Sequence, residues 1–341
     1  MLKEIMEVPE VIRRVSGLDF SLKTKIFLKS ARRIFLVGSG SSYHAGLLGK
    51  YYFQNIAGVE AEAWVASEWN LNPPEVRRGD FAILISQSGE TREILSALKT
   101  ARELRMPALV LVNSRNSILG KKADILVDIC AGTEKAVPAT KSFVAEVIVL
   151  FKLAILLALF RKRVSVAISK KLEKELVGLG EKADLVIRKS LKIRSIVAKY
   201  KNFEHVIIAG SGLTLPLAYE MALKIKESAV THAEGMVLGE VRHGPMALAG
   251  RKTAFIFLVD QTDRARAKSL AVDIRRKGSR VWMFDSIKLV ASDGFILPSV
   301  PKVFSPIVFS VALQLVAYWF GVLRGYNVDK PRNLAKSVTV E

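Results

Sequence analysis

The sequence contains very little cysteine and histidine. Cys130 is the single cysteine, and only four histidines occur among 341 residues. A lone cysteine excludes an internal disulfide framework and fits a reducing compartment, so we expect a cytoplasmic protein. The histidines show no His-Glu-x-x-His spacing, and we expect no bound metal. The first seven residues mix charges and lack the apolar core of a signal peptide.

The chain also has few features of membrane or nucleic-acid proteins. The best membrane candidate, residues 143–160, is interrupted by Glu146 and Lys152, and a buried core helix explains it better. The net charge of +20 raises nucleic acid as a partner. However, Lys and Arg are spread along the whole chain, without a dense basic block that contains aromatics. We therefore expect no nucleic-acid and no membrane partner, and attribute the charge to an anionic small substrate and a solvated surface.

What the chain does contain is an internal repeat. Half of its residues are hydrophobic, and its length allows one large or two ordinary domains. An apolar strand that ends in a glycine turn occurs at residues 31–41 and again at 202–212, with an offset of 172 residues from Gly38 to Gly210. A period of this length indicates duplicated domains and not a solenoid of short repeats.

Within each half, apolar strands alternate with helical stretches, such as residues 92–104 and 263–277. This alternation predicts an α/β fold with two tandem doubly wound units, each built on a parallel sheet that is covered on both faces. The predicted organisation is an amino-terminal helical segment at 1–30, a first domain at 31–165, a helical linker at 166–198, a second domain at 199–325 and a carboxyl-terminal tail at 326–341.

The first half contains two candidate anion-binding loops. A strand at residues 81–85 runs into residues 86–91 (Ser-Gln-Ser-Gly-Glu-Thr), which a helix follows at once. Hydroxyls and backbone amides at a helix N-terminus bind anions, because the first N–H groups have no partner within the helix. The glycine turn at residues 38–42 ends a second strand of the same half. Two such loops together favour a phosphate site over plain glycine turns.

The second half differs at the place that corresponds to the loop at residues 86–91. Its residues 260–263 read Asp-Gln-Thr-Asp, and two carboxylates would repel a phosphate. We therefore expect one phosphate site per chain. The glycine turn lacks the third glycine of a dinucleotide-binding fingerprint, which argues against a nucleotide cofactor.

A candidate acid–base helix follows the second glycine turn. Glu220, Lys224 and Glu227 stand at positions i, i+4 and i+7, and so share one helical face. Ordinary surface ion pairs have the same spacing. The position of this helix, directly after the end of a strand, favours a functional role.

These motifs resemble the isomerase (sugar isomerase, SIS) domains of glutamine–fructose-6-phosphate amidotransferase, and the resemblance covers nearly the whole chain. Residues 86–91 match the sugar-phosphate motif of that family residue for residue, and residues 331–341 resemble its carboxyl terminus. The resemblance implies two SIS domains and a sugar-phosphate substrate. The implied phosphate ligands are Ser41, Ser42, Ser86, Gln87, Ser88 and Thr91.

The resemblance also implies roles for five further residues. Glu227 would be the base that carries a proton between C2 and C1, Lys224 would polarise the nearby oxygen, and Glu220 would orient both. His243, in a His-Gly-Pro turn, would open the sugar ring from a neighbouring subunit, which implies a homodimer. Lys336 would form a Schiff base with the keto sugar.

One segment departs from the family pattern. The family usually reads Val-Ala-Ser-Thr-Lys where residues 137–141 read Val-Pro-Ala-Thr-Lys. A serine hydroxyl is therefore replaced at Ala139, which bears on the orientation of the sugar. Thr140 is retained and is the predicted sugar contact.

We predict the direction of the reaction from a domain of the family that this sequence does not contain. The resemblance begins at Met1, without the family's glutaminase domain, and Cys130 cannot replace that domain's terminal cysteine. Without an ammonia supply, mass action favours breakdown of the amino sugar, so we predict a glucosamine-6-phosphate deaminase that forms fructose 6-phosphate and ammonia. No cofactor is expected, because the imine of the substrate itself stores the electrons. The alternatives are the synthase subunit of a two-chain amidotransferase, a simple aldose–ketose isomerase, and a sensor that binds sugar phosphate without turnover.

Overall fold

The computed structural model describes residues 1–260, 262–285 and 294–336. In these ranges the strands are β1 (Arg33–Gly38), β2 (Glu60–Val65), β3 (Asp80–Ser86), β4 (Ala108–Val112), β5 (Ile125–Asp128), β6 (His205–Gly210), β7 (His232–Val237), β8 (Thr253–Val259), β9 (Arg280–Asp285) and β10 (Gly294–Ile296). The α-helices are α1 (Leu2–Met6), α2 (Val8–Ser16), α3 (Leu22–Lys29), α4 (Ser41–Tyr52), α5 (Ala66–Leu71), α6 (Arg92–Glu103), α7 (Ile118–Lys122), α8 (Lys141–Phe160), α9 (Val166–Ile187), α10 (Ser190–Val197), α11 (Leu215–Ala229), α12 (Arg264–Arg276) and α13 (Ser305–Leu323).

The strands form two parallel sheets of five strands each. Their orders are β2-β1-β3-β4-β5 and β10-β9-β8-β6-β7. The two orders match: in the first sheet Gly38 is in register with Val65 and Ile85, and in the second Gly210 is in register with Val237 and with Leu258. The prediction of two duplicated doubly wound sheets is confirmed.

The chain divides into two compact units, one around each sheet. The second unit contains the second sheet and consists of Met1–Met6, Lys135–Thr140 and Glu181–Leu334. The first unit contains the first sheet and consists of Glu7–Glu134, Lys141–Gly180 and the residues from Ala335. Each unit therefore includes short segments that are separated in sequence from its main part. The continuous domain boundaries drawn from the sequence stay a prediction.

The central strands are buried along their whole length. Every residue of β3 and of β8 is buried, as expected for parallel strands that are covered on both faces. In the second sheet, Phe255 and Phe257 of β8 pack in one cluster with Ile274 of α12. Each such side chain contributes about 1.5–3 kcal/mol relative to an exposed one. This burial fixes where the two strands end, and therefore where the loops after them begin.

Two helices are long and apolar enough to pass a test for membrane spans. They are Lys141–Phe160 and Lys302–Leu323, and 78% of the apolar window of each is buried within the protein. Core helices of globular proteins have the same composition, so these helices are weak evidence for a membrane. The expectation of no membrane partner stays a prediction.

Candidate functional site

The loop after β3 brings three hydroxyl groups to the start of α6. The Ser86 and Ser88 hydroxyls accept hydrogen bonds from the backbone N–H groups of Gly89 and Glu90, both at 3.1 Å. The Thr91 hydroxyl oxygen lies 3.4 Å from that of Ser86 and 3.5 Å from that of Ser88. Thr91 also precedes α6 without capping it through its side chain. The loop therefore presents hydroxyl donors beside the positive end of a twelve-residue helix.

Gly89 is required by the shape of this loop. Its φ angle is +68°, and a Cβ atom there would lie 2.1 Å from the Ser117 hydroxyl oxygen. The Gly89 carbonyl accepts from the Leu119 N–H at 3.0 Å, and the Glu90 carboxylate accepts from the Ile118 N–H at 2.9 Å. The loop is thus held against α7, with the Glu90 charge bound to α7.

The glycine turn before α4 forms the second predicted phosphate loop. A Cβ atom at Gly38 would lie 2.7 Å from the backbone carbon of Ser42, so the turn needs glycine. Ser41 and Ser42 are the first two residues of α4. The buried Ser42 hydroxyl donates to the Glu146 carboxylate at 2.9 Å. A phosphate contact from Ser42 therefore needs its hydroxyl to turn away from Glu146, and the role of Ser42 stays a prediction.

Helix α11 carries a buried lysine between two carboxylates. Lys224 is 1% exposed. Its Nζ atom lies 3.5 Å from Glu220 Oε1 and donates a hydrogen bond to Glu227 Oε2. A buried ammonium group needs such partners, because leaving it unpaired costs several kcal/mol. The Glu227 side chain is 16% exposed and that of Glu220 is 6% exposed, so Glu227 is the more accessible carboxylate.

Close packing holds α11 in place. A Cβ atom at Gly321 of α13 would lie 2.3 Å from the Ser228 carbonyl oxygen, and one at Gly235 of β7 would lie 2.7 Å from the Ala218 carbonyl carbon. The Ser228 hydroxyl lies 2.9 Å from the Ala317 carbonyl oxygen of α13. Two glycines thus let α13 and β7 approach the helix on which Glu227 lies.

His243 lies in an exposed turn of the second unit. It directly follows the 3₁₀ helix Leu238–Arg242, and its N–H donates to the Glu240 carbonyl at 2.9 Å. The Arg242 guanidinium pairs with Asp273 at 2.5 Å. The ring-opening role of His243, and its supply from a neighbouring subunit, stay predictions.

Lys336 pairs with a residue that sequence reasoning missed. Its Nζ atom donates to Glu134 Oε2 at 2.6 Å, and the Glu134 side chain is fully buried. Glu134 also accepts from the Ser142 hydroxyl at 2.7 Å and from the Ser142 N–H at 3.2 Å. The carboxylate therefore fixes the end of the Lys336 side chain. Residues 337–341 of the predicted tail lie outside the described residues.

Thr140, the predicted sugar contact, is buried within the second unit. Its side chain is completely buried, and its carbonyl accepts from the Gln314 Nε2 amide at 2.9 Å. Its predicted contact with the sugar stays a prediction. In the described part of the chain, no group of three His, Cys, Asp or Glu residues is arranged to hold a metal ion.

Comparison with known proteins identifies the family. The SIS domain family matches residues 27–156 and 199–324. The chain belongs to the SIS domain family. It is 34% identical over 357 residues to the glutamine–fructose-6-phosphate aminotransferase (isomerizing) of Mesorhizobium japonicum, and 32% identical over 358 residues to that of Escherichia coli K12. These relatives are named as enzymes. Both alignments cover the whole of this chain, which spans 59% of each relative's length.

Solved SIS structures support the same architecture. The carboxyl-terminal domain of glucosamine-fructose-6-phosphate aminotransferase from Francisella tularensis superposes with a TM-score of 0.91 at 28% identity, and the match covers 97% of both chains. Glucosamine-6-phosphate deaminase from Thermotoga maritima superposes with a TM-score of 0.76 at 23% identity, over 99% of this chain and 98% of that one. At that identity the second comparison shows only a shared fold.

Proposed function

We propose that this chain converts fructose 6-phosphate and ammonia to glucosamine 6-phosphate and water, as the sugar-processing part of a glutamine–fructose-6-phosphate aminotransferase. The observation that carries the proposal is the buried Lys224 between Glu220 and Glu227, in a chain that aligns over its full length with enzymes of that name. These relatives favour the synthase alternative over the deaminase that the sequence predicts. The deaminase reaction is the same conversion in reverse.

The phosphate end of the substrate is assigned to the first unit. The Thr91 hydroxyl lies within 3.5 Å of both the Ser86 and the Ser88 hydroxyls at the start of α6, where a dianion gains from the helix dipole. Gln87 and Ser41 are the further donors in this proposal. Hydroxyl and amide donors bind a phosphate through charge-assisted hydrogen bonds, which are stronger than neutral ones.

The acid–base chemistry is assigned to α11. Ammonia condenses with the C2 carbonyl of the open-chain ketose and water leaves, which gives an imine at C2. Glu227 removes a proton from C1, and the resulting enolamine is protonated at C2. The O1 proton leaves as the C1 aldehyde forms, and the C2 nitrogen gains a proton. Lys224 lies beside Glu227 and stabilises the developing charge on oxygen, as a preorganised cation does in many active sites.

Lys336 provides a covalent route to the imine. Its neutral amine attacks C2 and water leaves, and ammonia then displaces the lysine amine to give the same ketimine. The attack requires the ammonium group to lose a proton. Glu134 contacts Lys336 Nζ at 2.6 Å and is the group that accepts this proton. Glu134 is thus proposed to hold the Lys336 side chain in position and to accept the proton that its ammonium group releases.

Two assay directions test the proposal. Full-length protein is incubated with fructose 6-phosphate and ammonium chloride, and glucosamine 6-phosphate is measured. In the other arm, glucosamine 6-phosphate is supplied, and fructose 6-phosphate and ammonia are measured. We expect product in both arms, and the ratio of their rates shows which direction the protein favours. Ammonia-independent interconversion of fructose and glucose 6-phosphates, or tight binding without turnover, would contradict the proposal.

We further propose that His243 opens the sugar ring in the site of a partner subunit of a homodimer. Its exposure in the single chain supports this assignment. When inactive Glu227→Gln and His243→Ala proteins are mixed under subunit exchange, each mixed dimer gains one intact site if His243 acts in trans. Random mixing then restores about a quarter of wild-type activity. A mixture that stays inactive, while native mass spectrometry shows exchanged dimers, would show that His243 acts within its own chain.

A further inference from the structure

Two of the four histidines face each other outside the proposed active site. His205 is the first residue of β6, and His232 is the first residue of β7. They are register partners on adjacent parallel strands. Their Nδ1 atoms lie 3.2 Å apart, and the ring centroids are 5.2 Å apart at an interplanar angle of 79°. The two Nδ1 atoms are therefore close enough to share one proton or one bound ion.

This separation fits two ligands of one metal ion. With metal–nitrogen bonds of about 2.0–2.1 Å, two nitrogens 3.2 Å apart subtend an angle of about 100° at the metal, between square-planar and tetrahedral values. Imidazole nitrogen suits zinc, copper and nickel. Without a metal, the same contact requires one ring to donate and the other to accept a hydrogen bond.

We propose that His205 and His232 chelate one divalent transition-metal cation at the amino-terminal edge of the second sheet. His232 is exposed and His205 is half-buried, so an ion has access from solvent. No third His, Cys, Asp or Glu completes the group among the residues that the structure describes, and water occupies the remaining positions. The ion ties β7, the edge strand, to β6.

The spacing of the two histidines in the sequence does not reveal this site. His205 and His232 are 27 residues apart, whereas the His-Glu-x-x-His pattern places its two histidines four positions apart on one helix. The parallel pairing of β6 and β7 aligns their first residues. Only the register of the sheet reveals the pair.

Metal titration of the tag-free full-length protein tests the proposal. Calorimetry with Zn²⁺ and with Cu²⁺ should show one ion per chain, with tighter Cu²⁺ binding as the stability order of divalent metals requires. His205→Gln and His232→Gln should each lower the affinity by roughly 10–100-fold or more, the range found even for residues one shell beyond the ligands. The matched control, His44→Gln in α4, should bind like the wild type.

Two further measurements distinguish loss of the metal site from misfolding of a variant. Zn²⁺ should raise the unfolding temperature of the wild type but not of either variant, because the ion binds the native state. The Cu²⁺ spin-resonance spectrum of the wild type should show two coupled nitrogens. Equal affinity in the wild type and both variants, no binding at millimolar Zn²⁺, or a spectrum without two nitrogens would each overturn the proposal. Metal-free sugar-phosphate turnover of both variants should equal that of the wild type.

Discussion

The loops after equivalent strands of the two sheets carry different side chains. In the first sheet, β3 leads to a loop of hydroxyl groups, Ser86, Ser88 and Thr91. In the second sheet, the equivalent strand β8 leads to Asp260, whose Oδ1 accepts from the Thr262 N–H at 2.8 Å and also from the Thr262 hydroxyl. Gln261 lies outside the described residues. The second loop thus has a carboxylate that accepts from its own threonine, at the place where the first loop groups hydroxyls.

The state of Asp260 follows from its surroundings. Burial raises the pKa of its carboxyl group, but hydrogen bonds from Lys302 and Thr262 outweigh this and hold the pKa below its usual value. Lys302 Nζ lies 2.8 Å from Asp260 Oδ2. At neutral pH the second loop therefore contains a charged carboxylate where the first has the hydroxyl groups proposed to bind a phosphate.

The helices that follow the first strand of each sheet, α4 and α11, also carry different side chains at equivalent positions. The 172-residue offset that relates Gly38 to Gly210 also relates Tyr52 of α4 to Lys224 of α11. Tyr52 is buried and burial raises its pKa, so its hydroxyl stays neutral. Lys224 is equally buried but has two carboxylate partners. The two halves therefore differ at both pairs of equivalent positions, in the loops after β3 and β8 and in the helices α4 and α11.

The largest effect should come from the base on α11. Glu227→Gln keeps the shape of the side chain and removes its ability to take a proton, so kcat should fall by about 10²–10⁴. KM should stay unchanged, because the proposed phosphate donors are untouched. Steady-state kinetics check this, with Glu204→Gln, an exposed carboxylate paired with Lys252, as the matched control. Unchanged turnover in Glu227→Gln would remove it as the base.

A smaller effect, on KM alone, should come from the hydroxyl loop. Thr91→Val keeps the side-chain shape and removes a donor to the proposed phosphate, a loss of about 1.5–3 kcal/mol or roughly 10–100-fold in affinity. In the second loop, Thr262→Val is the control and should leave KM unchanged. If both variants raise KM equally, the division of labour between the halves is wrong.

Gly89 and Gly212 both have left-handed backbone conformations, so a comparison of their alanine variants distinguishes steric crowding from backbone strain. Gly89 and Gly212 have φ angles of +68° and +53°, but only a Cβ at Gly89 meets other atoms. Gly89→Ala should destabilise the protein by about 1–3 kcal/mol more than Gly212→Ala does, because the core is overpacked. Chemical denaturation measures both values. Equal losses would show that Ser117 moves aside at no cost.

The smallest effect should be the pH dependence of Asp260. Its folded-state pKa is depressed, so its stabilising contribution is present above the unfolded-state pKa and is lost as pH falls through the folded-state value. Since the site is partly exposed, Asp260→Asn should cost less than about 1 kcal/mol at neutral pH. The gap between variant and wild type should close in acid below about pH 4. Denaturation at several pH values measures it, and a gap that widens in acid would contradict this prediction.

Local patterns in the sequence were enough to predict the duplicated sheets. The strand predicted at 81–85 is observed as Asp80–Ser86, and the helix predicted at 92–104 is observed as Arg92–Glu103. Alternation of buried strands and amphipathic helices is a property of neighbouring residues, and glycine turns mark the strand ends. These features can be recognised in the sequence without knowing how the helices and strands pack.

The partners of the predicted site residues could not be predicted in this way. Glu134 meets Lys336 across 202 positions, and Glu146 meets Ser42 across 104. No periodicity connects residues so far apart, because only the folded unit brings them together. The position of Glu134, three residues before the segment 137–141 that departs from the family, is the one signal that could have singled it out.

If the hydroxyl loop binds the substrate phosphate as proposed, the carboxylate at Asp260 makes the two repeats differ in their dependence on metabolite supply. A covalently attached counter-ion is always present at its loop, whatever the composition of the cell. The hydroxyl loop gains its counter-ion only by binding, so substrate-linked stabilisation should be concentrated in the first repeat. Hydrogen exchange with and without fructose 6-phosphate should then slow around Ser86 far more than around Thr262. Under the proposed function, the stability of the first repeat depends on sugar-phosphate concentration and that of the second repeat does not.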